Sequence, residues 1–179
     1  FYYIHEPFAP QFDAEGYTEN PTRATGNDCF TAHPTKDDWY ETIKLNYGVF
    51  YQGGGEQQFD PIPDTWPKML HILLFWSSKG VDGFRCDMAE MVPQAFWNWV
   101  IPQVKGQYPH MLFIAEVYNP TLYRDYLAAG FDYLYDKVGM YDYLRGVTSK
   151  NWPVEGITEQ WQKVDDIRDR MLYFLETHD

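Results

Sequence analysis

Three carboxylates stand at the ends of short apolar runs: Asp87, Glu116 and Asp179. The runs are Val81-Asp82-Gly83-Phe84-Arg85-Cys86-Asp87, Met111-Leu112-Phe113-Ile114-Ala115-Glu116 and Met171-Leu172-Tyr173-Phe174-Leu175-Glu176-Thr177-His178-Asp179. An apolar strand that delivers an acid at its C-terminal end is how α/β barrels assemble active sites. Three acids delivered this way suit acid/base and nucleophilic chemistry on a neutral substrate. Arg85 and Asp87 are two apart on one expected strand, so they share a face. An Arg beside an Asp favours the ionised carboxylate, which suits a nucleophile. A Glu among other carboxylates suits a general acid.

The elements that must position these residues follow from periodicity. Residues 1–60 carry Pro7, Pro10, Pro21 and Pro34, a Gly53-Gly54-Gly55 run and many Asn, Thr and Asp. They read as a loop-rich inserted subdomain. From residue 61 the pattern becomes regular. A helix is expected over 65–79, with Thr65 as cap, Pro67 in the first turn and Gly80 as its stop. Its wide apolar face holds Trp66, Met69, Leu70, Leu73, Leu74 and Trp76. Strands are expected over 81–87, 111–116, 131–135 and 171–177. Helices are expected from Pro93, over 123–128, near 137–146 and over 157–170. Strands alternating with helices mean βαβ units and a parallel sheet. Asp87, Glu116 and Asp179 then sit on the first, second and fourth strands of the series.

Bulk composition narrows the chemistry. A chain of 179 residues suffices for one sizeable core. The net charge of −12 leaves no basic footprint for nucleic acid and no polybasic patch for a membrane. No apolar run reaches transmembrane length. The aromatic content of 19%, with 7 Trp and 15 Tyr, is unusually high; core packing and surface Tyr account for most of it, and only rings beside the acids read as platforms for sugar faces. Tyr118, two residues after Glu116, reads equally as such a ring or as core. Asp132 and Asp136 read as turn or helix-cap acids, and Asp82 as a strand-start turn residue. Cys86 alternates with Arg85 and Asp87 and should point into packing. Cys29 and Cys86 make neither a disulfide framework nor a zinc site. His5, His33, His71 and His110 show no metal spacing. No segment resembles a signal peptide, and the sequence assigns neither compartment nor oligomeric state.

Four segments resemble glycoside hydrolase family 13, the α-amylase family. Gly83-Phe84-Arg85-Cys86-Asp87-Met88-Ala89 looks like its Gly-Phe-Arg-x-Asp-x-Ala segment, and Phe113-Ile114-Ala115-Glu116-Val117 like the segment holding its acid/base Glu. Thr177-His178-Asp179 looks like its Asn-His-Asp segment, and Leu45-Asn46-Tyr47 like the short motif near the end of its inserted subdomain. Order and spacing agree over residues 45–179. The resemblance implies an α/β fold: strands four to seven of a (β/α)8 TIM barrel over 61–179, preceded by the irregular inserted subdomain over 1–60. It implies retaining hydrolysis of α-glucosidic bonds in starch, maltodextrin or related α-glucans. Asp87 matches the nucleophile, Glu116 the general acid/base, Asp179 the transition-state stabiliser, Arg85 the residue orienting the nucleophile, and His178 a ligand of sugar hydroxyls.

The sequence also departs from the family pattern. The family's first motif, an Asp and an Asn-His pair, is not found, which implies a partial catalytic domain that is inactive alone. Thr177 stands where Asn is usual. Glu90 and Met91 replace a Lys-His pair whose His carbonyl helps bind a structural Ca²⁺; a carbonyl survives substitution, so calcium in the full-length protein stays open and no other cofactor is implied. Glu90 is then a residue for the leaving-group side. The same triad serves an α-glucan transglycosylase. A non-catalytic carbohydrate-binding relative is the third reading, and the presence of all three acids and Arg85 argues against it.

Overall fold

The computed structural model describes residues 1–177. The chain forms two compact units, Phe1–Pro67 and Lys68–Asp179. The division falls inside the first long helix rather than ahead of it at residue 61, because the start of that helix is tied to the first unit.

The first unit is mostly irregular. It contains two two-residue antiparallel pairs: β1 (Tyr3–Ile4) with β2 (Thr22–Arg23), and β3 (Val49–Phe50) with β4 (Glu56–Gln57). Its core gathers Tyr2, Ile4, Ala24 and Ala32, with Phe30 and Tyr51 packed on them. The Tyr2 hydroxyl donates to the Val49 carbonyl and, chiefly through burial, its pKa is pushed up to about 12. Helix α1 (Thr65–Ser77) begins here. Thr65 does not cap it; its hydroxyl donates to the Asn46 carbonyl at 2.6 Å, while the Trp66 indole donates to the Tyr47 carbonyl at 3.1 Å. The Leu45-Asn46-Tyr47 segment thus anchors the start of α1. Gly80, at φ +85°, terminates the helix as its position predicts.

The second unit is a four-stranded parallel sheet in the order β5 (Gly83–Cys86), β6 (Leu112–Ala115), β7 (Tyr133–Tyr135) and β8 (Met171–Leu172). Right-handed βαβ geometry requires a covering layer between successive strands. Helix α2 (Gln94–Gln107) supplies it between β5 and β6, with Phe96, Trp97, Val100, Ile101 and Val104 buried. Trp97 meets Phe131 edge-on at 5.0 Å, and Phe131 meets Phe113 at 6.3 Å. Removing one such ring costs about 3–5 kcal/mol. Helix α3 (Tyr123–Ala128) links β6 to β7. A π turn (Lys137–Tyr141) leads into α4 (Asp142–Lys150), and α5 (Gly156–Gln162) precedes β8.

Three expectations are corrected in length. The helix expected over 157–170 ends at Gln162, where Val164, Asp165 and Asp166 are weak helix formers; Val164 is buried and Asp166 is drawn to Arg124 at 2.6 Å. The strand expected over 171–177 pairs only at Met171–Leu172, because β7 offers three residues for pairing. The strand expected over 131–135 begins at Tyr133. Asp132 binds Lys105 at 2.8 Å and accepts the Phe113 N–H at 2.8 Å, so it ties α2 to the entry of β6.

Among the described residues, β5 and β8 are sheet edges. Ile72, Phe75 and Trp76 of α1 are about half exposed. Unpaired parallel edges and exposed apolar rings each favour association. The 179-residue chain by itself is expected to self-associate in light scattering; a stable monomer would contradict this. Gly83 offers a sharper test. A Cβ there would lie 2.6 Å from the Leu112 carbonyl oxygen. Gly83→Ala must force β5 away from β6, and is expected to cost about 1–3 kcal/mol, read as a lowered melting temperature.

Candidate active site

Register alone brings two of the expected acids together. Cys86 is aligned with Ala115, so Asp87 and Glu116 each leave their strand at the same level. The Glu116 N–H donates to the Cys86 carbonyl at 3.0 Å, one rung past the ladder. From the same face, Arg85 reaches both. Its Nη1 donates to Asp87 Oδ1, and its Nη2 donates to Glu116 Oε1 at 2.9 Å. One guanidinium therefore makes the two carboxylates neighbours. It also stands over the Tyr135 ring, 5.4 Å from the centroid. Burial opposes its charge, but the Asp87 hydrogen bond and the charges of Glu116 and Asp87 outweigh burial and raise its pKa.

The two acids sit in unlike surroundings. The Asp87 side chain is 61% exposed, and Glu116 is 5% exposed. The open Arg85–Asp87 pair contributes little stability, about 0–1 kcal/mol. Glu116 is different, because a buried carboxylate must be fully partnered. Its Oε2 accepts the Met88 N–H at 3.0 Å, and its carbonyl accepts the Ala89 N–H at 2.9 Å. Met88 achieves this in the left-handed region, at φ 44° and ψ 45°. For a non-glycine residue that conformation costs about 1–2 kcal/mol. A hydrogen bond to a charged group, worth about 1.5–3 kcal/mol, offsets it. The segment after Asp87 is therefore bent to serve Glu116.

The remaining expected residues fall in different places. Tyr118 is half-buried, with its hydroxyl 3.5 Å from Glu116 Oε1. Glu90 Oε2 accepts the Asn119 N–H at 3.0 Å, so it braces the loop that follows Glu116. His178 and Asp179 lie outside the described residues. Cys86 carries a free thiol that burial pushes up to about 12, consistent with packing rather than reactivity. Among the described residues no group of three or more His, Cys, Asp or Glu side chains is placed to hold a metal ion. No described helix is long and apolar enough to cross a membrane.

Sequence reasoning missed two contributors. The Met88 N–H carries no signal, because Met is not a residue type that announces a left-handed backbone. A lysine after a strand reads as solvated, yet Lys137 Nζ binds Asp142 Oδ1 at 2.9 Å and stands over the Tyr118 ring, 5.4 Å from the centroid. Asp136, expected as a turn or cap acid, does sit at the start of the π turn but is 1% exposed. Neither of its carboxylate oxygens, nor the buried Tyr123 hydroxyl, has a hydrogen-bond partner.

The chain is 30% identical over 136 residues to an α-1,4-glucan:maltose-1-phosphate maltosyltransferase of Cereibacter sphaeroides, covering 72% of the chain and 21% of that protein. It is 38% identical over 71 residues to the enzyme of the same name from Methylacidiphilum infernorum, covering 39% of the chain and 11% of that protein. The chain thus spans about a fifth or less of the length of these curated relatives. Its fold matches an α-amylase from Lactobacillus plantarum with a TM-score of 0.57 at 24% identity, covering 75% of this chain and 32% of that one. It also matches the α-amylase from Geobacillus thermoleovorans, complexed with acarbose, with a TM-score of 0.60 at 21% identity, covering 76% and 31%. No family model matches the chain. The fold is that of part of a (β/α)8 barrel.

Asp136 yields a test of the site's electrostatics. Burial is the largest influence and raises its pKa; the backbone N–H groups of Met140 and Gly139, which face its carboxyl without reaching hydrogen-bond geometry, oppose it only in part. Below the unfolded value, about 3.9, both states bind the proton and there is no cost. As pH rises from there toward the raised folded value, the unfolded state ionises while the buried carboxyl keeps its proton, and the folded state loses stability until that value is passed. Asp136→Asn removes that cost. The variant is expected to melt above the parent at pH 7, with the gap closing toward pH 4; a variant that melts lower at pH 7 would overturn this.

Proposed function

We propose that this chain supplies the acid pair of a retaining family 13 glycosidase acting on α-glucosidic bonds of starch, maltodextrin or related α-glucans. The observation that carries the reading is the single Arg85 guanidinium held between Asp87 and Glu116. Retention needs a nucleophile and an acid/base that are close neighbours, about 5 Å apart. In the proposed cycle, Glu116 gives a proton to the glycosidic oxygen as Asp87 attacks the anomeric carbon. The leaving sugar departs as an alcohol, and a glycosyl ester forms on Asp87. Glu116 then takes a proton from an incoming hydroxyl, which attacks the same carbon and frees Asp87. Asp179 is assigned to the positive charge that develops on the sugar ring, and His178 to its hydroxyls. Tyr118 is assigned to the leaving-group side, on the strength of its contact with Glu116. Glu90 serves that side through the loop it braces rather than by direct contact.

A second reading rests on one observation: the sequence relatives are named as maltosyltransferases. In that case the incoming hydroxyl belongs to a sugar instead of water, and the same residues act. In the full-length protein, Asp87→Asn and Glu116→Gln are each expected to lower maltoheptaose turnover by at least about 10³-fold. Full activity in either variant would end the assignment. Chromatography of the products separates the readings, since longer oligosaccharides arise only by transfer.

A further inference from the structure

We propose that Lys137 is a positioning residue that fixes Tyr118 as a sugar platform beside Glu116. The inference rests on the reading of Glu116 as acid/base and goes beyond it by naming what sets the leaving-group side.

The geometry begins at the end of β7. There the chain makes a π turn, closed by the Tyr141 N–H donating to the Asp136 carbonyl at 3.1 Å. Residues five apart fall on one face of such a turn. Lys137 and Asp142 are five apart, and their side chains meet at 2.9 Å. This pins the long lysine chain, which would otherwise sample many rotamers. The pinned ammonium lies 5.4 Å from the Tyr118 ring centroid and 5.5 Å from the Tyr141 ring centroid. Tyr141 is itself stacked on Phe174 at 4.5 Å. The cation is thus wedged between a ring fixed in the core and a ring at the site.

A cation over one face of an aromatic ring is attracted by the electron density of that face. Lys137 faces the Tyr118 ring, and the Tyr118 hydroxyl lies 3.5 Å from Glu116 Oε1. Arg85 approaches the same Oε1 at 2.9 Å. In this proposal sugar stacking is assigned to the ring face opposite the ammonium. Lys137 therefore acts through Tyr118 and does not itself touch the reacting atoms.

Two substrates separate this role from general damage. Maltoheptaose places sugar on the leaving-group side; α-maltosyl fluoride places only fluoride there. In the full-length protein, Lys137→Met is expected to lower the ratio of kcat/KM for maltoheptaose to that for α-maltosyl fluoride by about tenfold. Lys137→Arg keeps a cation and should restore most of the ratio. Tyr118→Ala should lower the ratio as far as Lys137→Met does, and the double variant no further. An unchanged ratio in Lys137→Met, or additive losses in the double variant, would overturn the proposal. A Lys137→Met variant that fails to fold leaves the Lys137→Arg and Tyr118→Ala ratios to decide: equal ratios in Tyr118→Ala and the parent would overturn it. Failure of the underlying reading shows differently, as Glu116→Gln retaining maltoheptaose turnover.

Discussion

Arg85 between Asp87 and Glu116 is the contact on which the site depends. Two like charges brought to adjacent strand ends repel, and one of them is buried. Without a shared cation, the parallel register that aligns Asp87 with Glu116 would carry an uncompensated cost. With it, the same register becomes a means of holding two carboxylates at one spacing. The guanidinium suits this because its nitrogens are rigidly spaced and permanently charged. A lysine would offer one point charge on a flexible stem.

The rest of the second unit can be understood as support for that arrangement. Gly83 lets β5 lie close against β6, which sets the level of both acids. Met88 accepts an unfavourable backbone conformation and satisfies the second oxygen of Glu116. Ala89, fully buried, receives the Trp97 indole N–H at 3.0 Å, so the bent segment is locked to α2. Glu90 holds the loop beyond Glu116. The three residues that follow Asp87, namely Met88, Ala89 and Glu90, thus contribute through backbone or structural contacts to the acid of a different strand and the loop beyond it.

The far side of Glu116 is built from the end of β7. The π turn there places Lys137 and Asp142 together, buries Asp136 without a partner, and presents an ammonium to Tyr118. Met88 and Asp136 both lie in segments that follow strand ends, one holding a left-handed backbone and the other a buried carboxyl.

Much of this was legible in the sequence. Apolar runs ending in acids, a helix stopped by Gly80 and the alternation of strands and helices each report a local preference that the fold keeps. The pairing of Arg85 with Asp87 follows from two-residue alternation alone. The lengths of the last helix and strand were not legible, because pairing partners and a surface ion pair decide them. The left-handed turn at Met88, the reach of Arg85 to Glu116 and the placing of Lys137 over Tyr118 belong to the tertiary structure. Each joins residues on different strands or turns, and no local preference encodes a contact whose partner is brought near only by the parallel sheet.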